Sequence, residues 1–306
     1  MANAKANVVV LAGGTGGAKL ARGFAAIDSV SLSVVANTGD DVEIYGARVC
    51  PDPDLIIFHL AGCIDERGWG LEGDTFHAMD QLGKIGADNW FRLGDRDLAI
   101  GLDRSLRLRN GESLTSATKV LAEAMGVSAS VLPMCEERVA TFVTARGDRL
   151  PFQEFMIPNG ARGPVEAVDF EGIEEASVTS EVAAALAAAD LIIIGPSNPA
   201  ISIGPILAVP GMVDSIRAAA APTVVVSPLV KGEAIKGPTE EFLRSAGVDA
   251  SAEGIGRHYA NISDGIVADE ECSVLPTLVT DLLMRGVAGS TRLAEETLEF
   301  GLGLRR

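Results

Sequence analysis

An unbroken apolar run that ends in a glycine turn, "NVVVLAGGTGGAKLARG" over residues 7–23, restricts this chain more than any other stretch. Asn7 to Leu11 reads as a strand buried on both faces, and a helix is expected from about Ala18 to Ala26. Two phosphate-binding templates can be tested on the turn between them. A P-loop needs a second glycine and a Ser/Thr hydroxyl where Ala18 and Leu20 stand, so that template fails. The dinucleotide pattern G-x-G-x-x-G is met only in part, because Lys19 occupies the third glycine's place. What survives is a strand, a glycine turn and a helix N-terminus whose amides favour an anion. Gly13, Gly14, Thr15, Gly16, Gly17 and Lys19 are its candidate ligand residues. A lysine in the first helical turn opposes the helix dipole, which points to a ligand's negative charge nearby. The alternative is a tight turn with no ligand; two Gly-Gly pairs, entropically expensive, favour a ligand.

Further apolar runs at Leu32–Ala36, Leu191–Ile194 and Thr223–Val226 alternate with helical stretches, the pattern of an α/β fold built on a parallel sheet. Between Pro51 and about Pro164 the pattern changes. Helices are expected near 54–62, 74–86 and 113–125, and short strands near 139–145 and 150–157. The division expected is a core from 1–50 and 165–306, with 51–164 as a largely helical insertion capping the sheet's carboxyl edge. With 306 residues, 47% of them hydrophobic, the chain can bury a large core. No apolar run approaches the ~20 residues that cross a bilayer, and no signal-peptide pattern opens the chain, so a cytoplasmic protein is expected. The four cysteines have no C-x-x-C spacing and read as small buried apolar residues.

Forty-two acids against 25 bases give a net charge of −17, which opposes general affinity for nucleic acid or anionic lipid. An anion can then bind only at a locally basic site or through a divalent cation. The segment "VVANTGDDVEIYGARVCPDPDL" places Asp40, Asp41, Asp52 and Asp54 after the second strand. Two such carboxylates with substrate phosphates would suit Mg2+; for a single aspartate, a turn or helix cap explains the residue equally well. "WFRLGDRDLA" packs Arg92, Asp95, Arg96 and Asp97 around Gly94, its arginines a plausible anion clamp, although taken alone a solvated salt-bridge cluster is the simpler reading. Trp69, Trp90 and Phe91 could stack on a planar ring or simply fill core. In "LIIIGPSNPAISIGPIL" the prolines stop helix continuation and leave Ser197, Asn198 and Ser202 at the sheet edge. "VVVSPLVKGEAIKGP" repeats the arrangement with Ser227, Lys231 and Lys236. The three histidines share no metal-ligand spacing, and no G-x-S-x-G elbow occurs.

Taken in order, "GGTGGAKLARG", "NTGDD", "PDPD", "GDRDLA", "GPSNPAISIGPIL" and "SPLVKGEAIKGP" resemble the signature segments of the 2-phospho-L-lactate transferase family, called FbiA in actinobacteria and CofD in archaea. The resemblance implies a Rossmann-like homodimer of coenzyme F-420 biosynthesis. Such an enzyme joins 7,8-didemethyl-8-hydroxy-5-deazariboflavin to a three-carbon acid activated by guanosine diphosphate, releases GMP and uses Mg2+. It implies Asp40 and Asp54 as metal-binding and catalytic carboxylates, and Asp54, Arg92, Asp95 and Arg96 on the deazaflavin side, where the insertion forms an acceptor cap. The glycine turn with Ser197, Asn198, Ser202 and Lys231 would hold the guanosine nucleotide. Pro53 stands where many relatives carry leucine, a departure that leaves both acids in place. The competing reading is a regulator of the related gluconeogenesis-factor branch that binds nucleotide sugars without transferring anything; an NAD-dependent dehydrogenase explains the glycines but not the two proline-rich strand ends.

Overall fold

The computed structural model describes residues 5–234 and 239–304, so Lys236 lies outside the described residues. The chain opens with β1 (Ala6–Ala12), α1 (Gly14–Ala25) and β2 (Val30–Ala36). A small hairpin, β3 (Val42–Ile44) and β4 (Ala47–Val49), leads into α2 (Pro51–Ala61), followed by α3 (His77–Lys84), α4 (Asp95–Arg109) and α5 (Leu114–Ala124). Next come β5 (Ser130–Pro133), β6 (Ala140–Ala145), β7 (Asp148–Pro151), the short α6 (Phe152–Met156), β8 (Val165–Glu171) and α7 (Ser180–Ala187). After β9 (Leu191–Ile194) the backbone makes a π-helical turn over Pro199–Ile203, then α8 (Gly204–Ala208), α9 (Met212–Ala218) and β10 (Thr223–Val226). The remaining elements are the hairpin β11 (Leu229–Val230) and β12 (Glu233–Ala234), then α10 (Thr239–Ser245), α11 (Ala252–Tyr259), β13 (Gly265–Ala268), β14 (Thr277–Val279) and α12 (Gly286–Gly303).

Seven strands form one sheet in the order β14-β13-β10-β9-β1-β2-β5, and every neighbouring pair runs parallel. The reason the strands read as continuous apolar runs is visible in β1. Val9 and Leu11 enter a core on one face with helices α7, α8, α9, α10 and α11, while Val8 and Val10 enter a second core with α1, α2, α5 and α12. Successive side chains point to opposite faces, and both faces are covered, so the run Val8 to Leu11 is apolar at every position. The fold is therefore the expected α/β sandwich with a Rossmann-like strand order. Among the described residues no single helix is long and apolar enough to cross a membrane.

Three expectations about local structure change. Helix α1 starts at Gly14, not Ala18: Gly13 is extended and Gly14 has φ +61°, so two residues complete the turn. Gly16 and Gly17 then lie inside the helix, where their own chain demands them. A Cβ on Gly16 would sit 2.0 Å from the Pro196 carbonyl oxygen, and one on Gly17 would sit 2.7 Å from the Ala12 Cβ. Close packing, more than a ligand, accounts for these two glycines. Second, β5 pairs in parallel with β2, so the main sheet takes an edge strand from within 51–164. Its four residues, Ser-Val-Leu-Pro, are too few to announce a parallel strand. Third, the strand expected over 150–157 stops at Pro151, whose missing N–H ends the pairing, and α6 follows.

Candidate functional site

Parallel strands leave the sheet from one edge, which is how loops distant in sequence meet. The strand order reverses between β1 and β9, and open α/β sheets bind ligands in the crevice such a reversal creates. The two loops are linked there: the Ser197 hydroxyl donates to the Gly13 carbonyl at 2.5 Å. A cavity of about 420 Å3 opens above them. Gly13, Gly14, Thr15, Gly16 and Lys19 line one side, and Ser197, Asn198, Ser202 and Ser227 face them, with Arg285 completing the wall. Asn198 does so as a cap, its side chain accepting the Ala200 amide at 2.9 Å and so starting the π-helical turn. Gly17 lies beneath the lining, and Lys231 falls outside it: its own amide donates to Asp269 at 2.6 Å while neighbouring Val230 lines the cavity.

The loop after β2 and the first turn of α2 bring four buried carboxylates, Asp40, Asp41, Asp52 and Asp54, to the same edge. Asn37 organises them. Its Nδ2 donates to Asp52 Oδ2 at 2.9 Å, and its Oδ1 accepts the Gly39 amide at 2.8 Å. The second Asp52 oxygen accepts the Gly14 amide at 2.7 Å, so part of the anion-binding capacity of the glycine turn is met by the protein's own carboxylate. Asp41 accepts from Arg48 at 3.0 Å and from the Cys50 thiol at 2.9 Å. Asp54 receives the forked guanidinium of buried Arg104 on both oxygens. Sequence reasoning joined Asp40 to Asp54; in the structure the Asp52 carboxylate is the one that acts most strongly on Asp40, and Asp54 is engaged with arginine.

Electrostatically the cluster is short of positive charge. Burial, and then the Asp52 carboxylate, push Asp40 well above the usual carboxylate range. Burial raises Asp52 to about 6 against the pull of Asn37 and the Gly14 amide, and raises Asp41 to about 6 against Arg48. Asp54 is raised as well, burial outweighing its arginine. Asp40 Oδ1 and Asp41 Oδ1 are buried without a hydrogen-bond partner. An oxygen-only donor set with unmatched negative charge and unpartnered carboxyl oxygens fits Mg2+, which takes one or two carboxylates and fills its shell with water and phosphate. Among the described residues no three His, Cys, Asp or Glu side chains form a self-sufficient cage.

Across the carboxylates lies a second cavity of about 670 Å3. Asp52, Asp54 and Asp97 line it on one side, and Trp69, Trp90, Phe91 and Arg92 on another. Arg92 is held by Asp80 at 2.9 Å, with its guanidinium 5.3 Å from the Phe76 ring centre. Asp95 and Arg96 do not reach either cavity. Asp95 accepts the Thr75 hydroxyl at 2.5 Å and the His77 and Ala78 amides at 3.0 and 2.9 Å, capping α3, while Arg96 donates to the Glu72 carbonyl at 3.1 Å. The G-D-R-D segment thus knits its own loop, and only Arg92 of the expected clamp faces a cavity.

The family model described as 2-phospho-L-lactate transferase CofD matches residues 8–281. The chain belongs to this family. It is 40% identical over 281 residues to a phosphoenolpyruvate transferase of Mycobacterium ulcerans, covering 85% of each chain. Against the phosphoenolpyruvate transferase of Streptomyces griseus identity is 35% over 309 residues, with 95% and 97% covered. A solved Bacillus halodurans protein of the UPF0052 family superposes with a TM-score of 0.63 at 18% identity, covering 96% of this chain and all of that one; that likeness concerns the fold. As a member of the 2-phospho-L-lactate transferase family the chain is an enzyme, a phospho-acid transferase.

For a transferase of this family, three residues stand beside the expected ones: Asp52 and Asp97, which the sequence reading named without giving them a role at the site, and Arg104, which it did not single out. Asp52 was visible in the P-D-P-D segment but read as secondary to Asp54. Arg104 stands in the charge-rich "RSLRLR", where nothing in the sequence sets it apart, and the burial of Gly101, Arg104 and Ser105 shows an inward face of α4. Asp97 sits one turn earlier on two of them, at i to i+4 and i+7 spacing, and burial together with Asp54 and Asp74 pushes it up to about 7. Because its pKa is raised on folding, the folded state holds a proton that the unfolded state releases above about pH 4, so Asp97 lowers stability as pH rises through its folded pKa. Asp97→Asn removes that loss. Its melting profile should meet the parent's near pH 4 and lie above it at pH 8, by roughly 2 kcal/mol after allowing for partial exposure. Equal pH profiles by calorimetry would contradict this assignment.

Proposed function

We propose that the two cavities hold the two substrates of one transfer. The glycine-turn cavity takes a guanosine diphosphate-linked three-carbon acid, and the aromatic cavity takes the deazaflavin 7,8-didemethyl-8-hydroxy-5-deazariboflavin. The product is the phosphodiester precursor of coenzyme F-420, and GMP leaves. One observation carries this reading: Asp52 lines the aromatic cavity while its carboxylate receives the amide of Gly14, which lines the other. Donor and acceptor therefore meet over a single carboxylate cluster. The names of the Mycobacterium and Streptomyces relatives favour a phosphoenolpyruvate-type donor over phospholactate.

Chemically, the terminal hydroxyl of the acceptor's ribityl chain attacks the phosphorus bearing the three-carbon acid, an O–P bond forms, and the bridging bond to GMP breaks. The nucleophile is an ordinary alcohol and the leaving group a phosphate, so positioning and charge neutralisation are the main needs. Lys19 and Arg285 supply positive charge on the donor side. Asp40 or Asp54 accepts the hydroxyl proton. Asp40 and Asp54, with Asp52 beside them, would hold Mg2+, which when bound neutralises diphosphate charge. Trp90 and Phe91, edge to face at 5.6 Å between ring centres, offer the deazaflavin an apolar wall beside Arg92. The enzyme is expected to work in the cytoplasm as a homodimer.

The reading is tested by incubating the protein with deazaflavin, a guanosine diphosphate-linked phosphoenolpyruvate or phospholactate donor and Mg2+, then weighing the products. A deazaflavin conjugate and stoichiometric GMP are expected, with turnover abolished by EDTA and restored by Mg2+. Thermal stabilisation by a UDP-sugar, with no quenching of deazaflavin fluorescence and no conjugate, would instead establish the nucleotide-sugar-binding regulator.

A further inference from the structure

Among the described residues Met156 is the one common to the linings of both cavities. It ends α6, a helix of five residues between β7 and β8. Two attachments fix that helix relative to the carboxylates. Gln153 Nε2 donates to the Asp40 carbonyl at 3.1 Å, and the buried Phe155 ring packs edge-on to Phe242 of α10 with centres 6.0 Å apart. Met156 itself is half-buried, so its thioether stands at the junction between the cavities without being locked into a core. The other link between the two linings is polar: Asp52, which lines the aromatic cavity, accepts the amide of Gly14, which lines the other.

We propose that Met156 is a water gate that makes this enzyme a transferase and keeps it from being a hydrolase. The inference rests on the two-cavity reading above. An activated phosphorus at the junction meets two nucleophiles of the same chemistry, the acceptor hydroxyl and water. No acid, base or cation distinguishes them, so discrimination comes from which one can reach the phosphorus. The carboxylate link attracts water; the apolar, polarisable side chain of Met156 excludes it. A methionine also suits this place because its unbranched chain adapts to a bound ligand and yields when product leaves. In the coupled reaction the acceptor oxygen bonds to phosphorus, the bridging oxygen departs with GMP, and the hydroxyl proton passes through a carboxylate to solvent. In the leak a water oxygen takes the acceptor's place, the same bridging bond breaks, and the products are the free phosphorylated acid and GMP, the two water protons passing to solvent or to the new phosphate monoesters.

The ratio of GMP released to deazaflavin conjugate formed, both quantified by chromatography and mass spectrometry from one reaction, reads the gate directly. The parent should give a ratio near one. Met156→Ala should raise the ratio about tenfold, because a shortened side chain opens the junction, and Met156→Gln should raise it too, since it keeps the length but binds water. Met156→Leu, apolar and of similar volume, should stay near the parent. Should Met156→Ala fail to fold, Met156→Gln carries the test alone. Conjugate formation at the parental ratio in the Ala or Gln variant overturns the gate and leaves the two-cavity reading standing. A parent protein that forms no conjugate overturns both.

Discussion

Asp40→Asn is expected to slow turnover at least about a hundredfold while melting no lower than the parent. The two halves of this expectation have one cause. Asp40 is buried, its Oδ1 has no partner, and the Asp52 carboxylate acts directly upon it. Asn37 and Thr141 favour its charge, but burial and the Asp52 and Asp41 carboxylates outweigh them, so the ionised form is a net cost to the fold. An asparagine fills the same space and cannot ionise. Because the aspartate's pKa is raised on folding, the parent loses stability as pH climbs from about 4 through the folded value, and the variant does not. Its advantage in melting temperature should therefore be absent near pH 4 and evident above pH 7. Full activity in the Asp40→Asn protein, measured with saturating Mg2+ and both substrates, would remove Asp40 from the reaction. A large fall in melting temperature at pH 8 would show instead that its charge serves the fold.

How much of this could be read from the letters depends on the range of the interactions involved. The strands of the sheet are local and were legible, since burial on both faces forces a continuous apolar run, as in Val8 to Leu11. The edge on which loops meet follows from parallel strands, which is why Gly13, Ser197 and Ser202 could be grouped before any coordinate was known. The partners of the acids were not legible. Asp54 and Arg104 are separated by 50 positions and Gly14 and Asp52 by 38, and nothing in the spacing of either pair signals contact. The glycines carry a packing demand that the letters do not show. Their abundance was read as a ligand signature, yet Gly16 and Gly17 are required by the Pro196 carbonyl and by Ala12. For Asp95 and Arg96 the sequence left a clamp and a solvated cluster both open, and their hydrogen bonds close upon Thr75, His77, Ala78 and Glu72.

Asp54→Asn should behave differently from Asp40→Asn, although the two acids belong to one cluster. Arg104 is 3% exposed in its side chain and directs both terminal nitrogens at Asp54, one of them also donating to the Arg48 carbonyl at 3.0 Å. Removing the carboxylate's charge leaves a buried guanidinium without its counterion, a change that typically costs about 3–5 kcal/mol. Asp54→Asn is therefore expected to lose both stability and turnover, and raising pH cannot recover either, since arginine stays charged throughout. Replacing the pair together separates the two losses. Asp54→Leu with Arg104→Met exchanges buried charges for apolar volume and should regain most of the lost stability, because no ion is left unmatched. It should regain no activity, because the Asp54 carboxylate, one of three lining the aromatic cavity, is still missing. Chemical denaturation of the parent, Asp54→Leu, Arg104→Met and the double variant closes the cycle. A double variant that recovers turnover along with stability would mean that Asp54 serves only to neutralise Arg104, and the transfer would then have to run on Asp40 and Asp52.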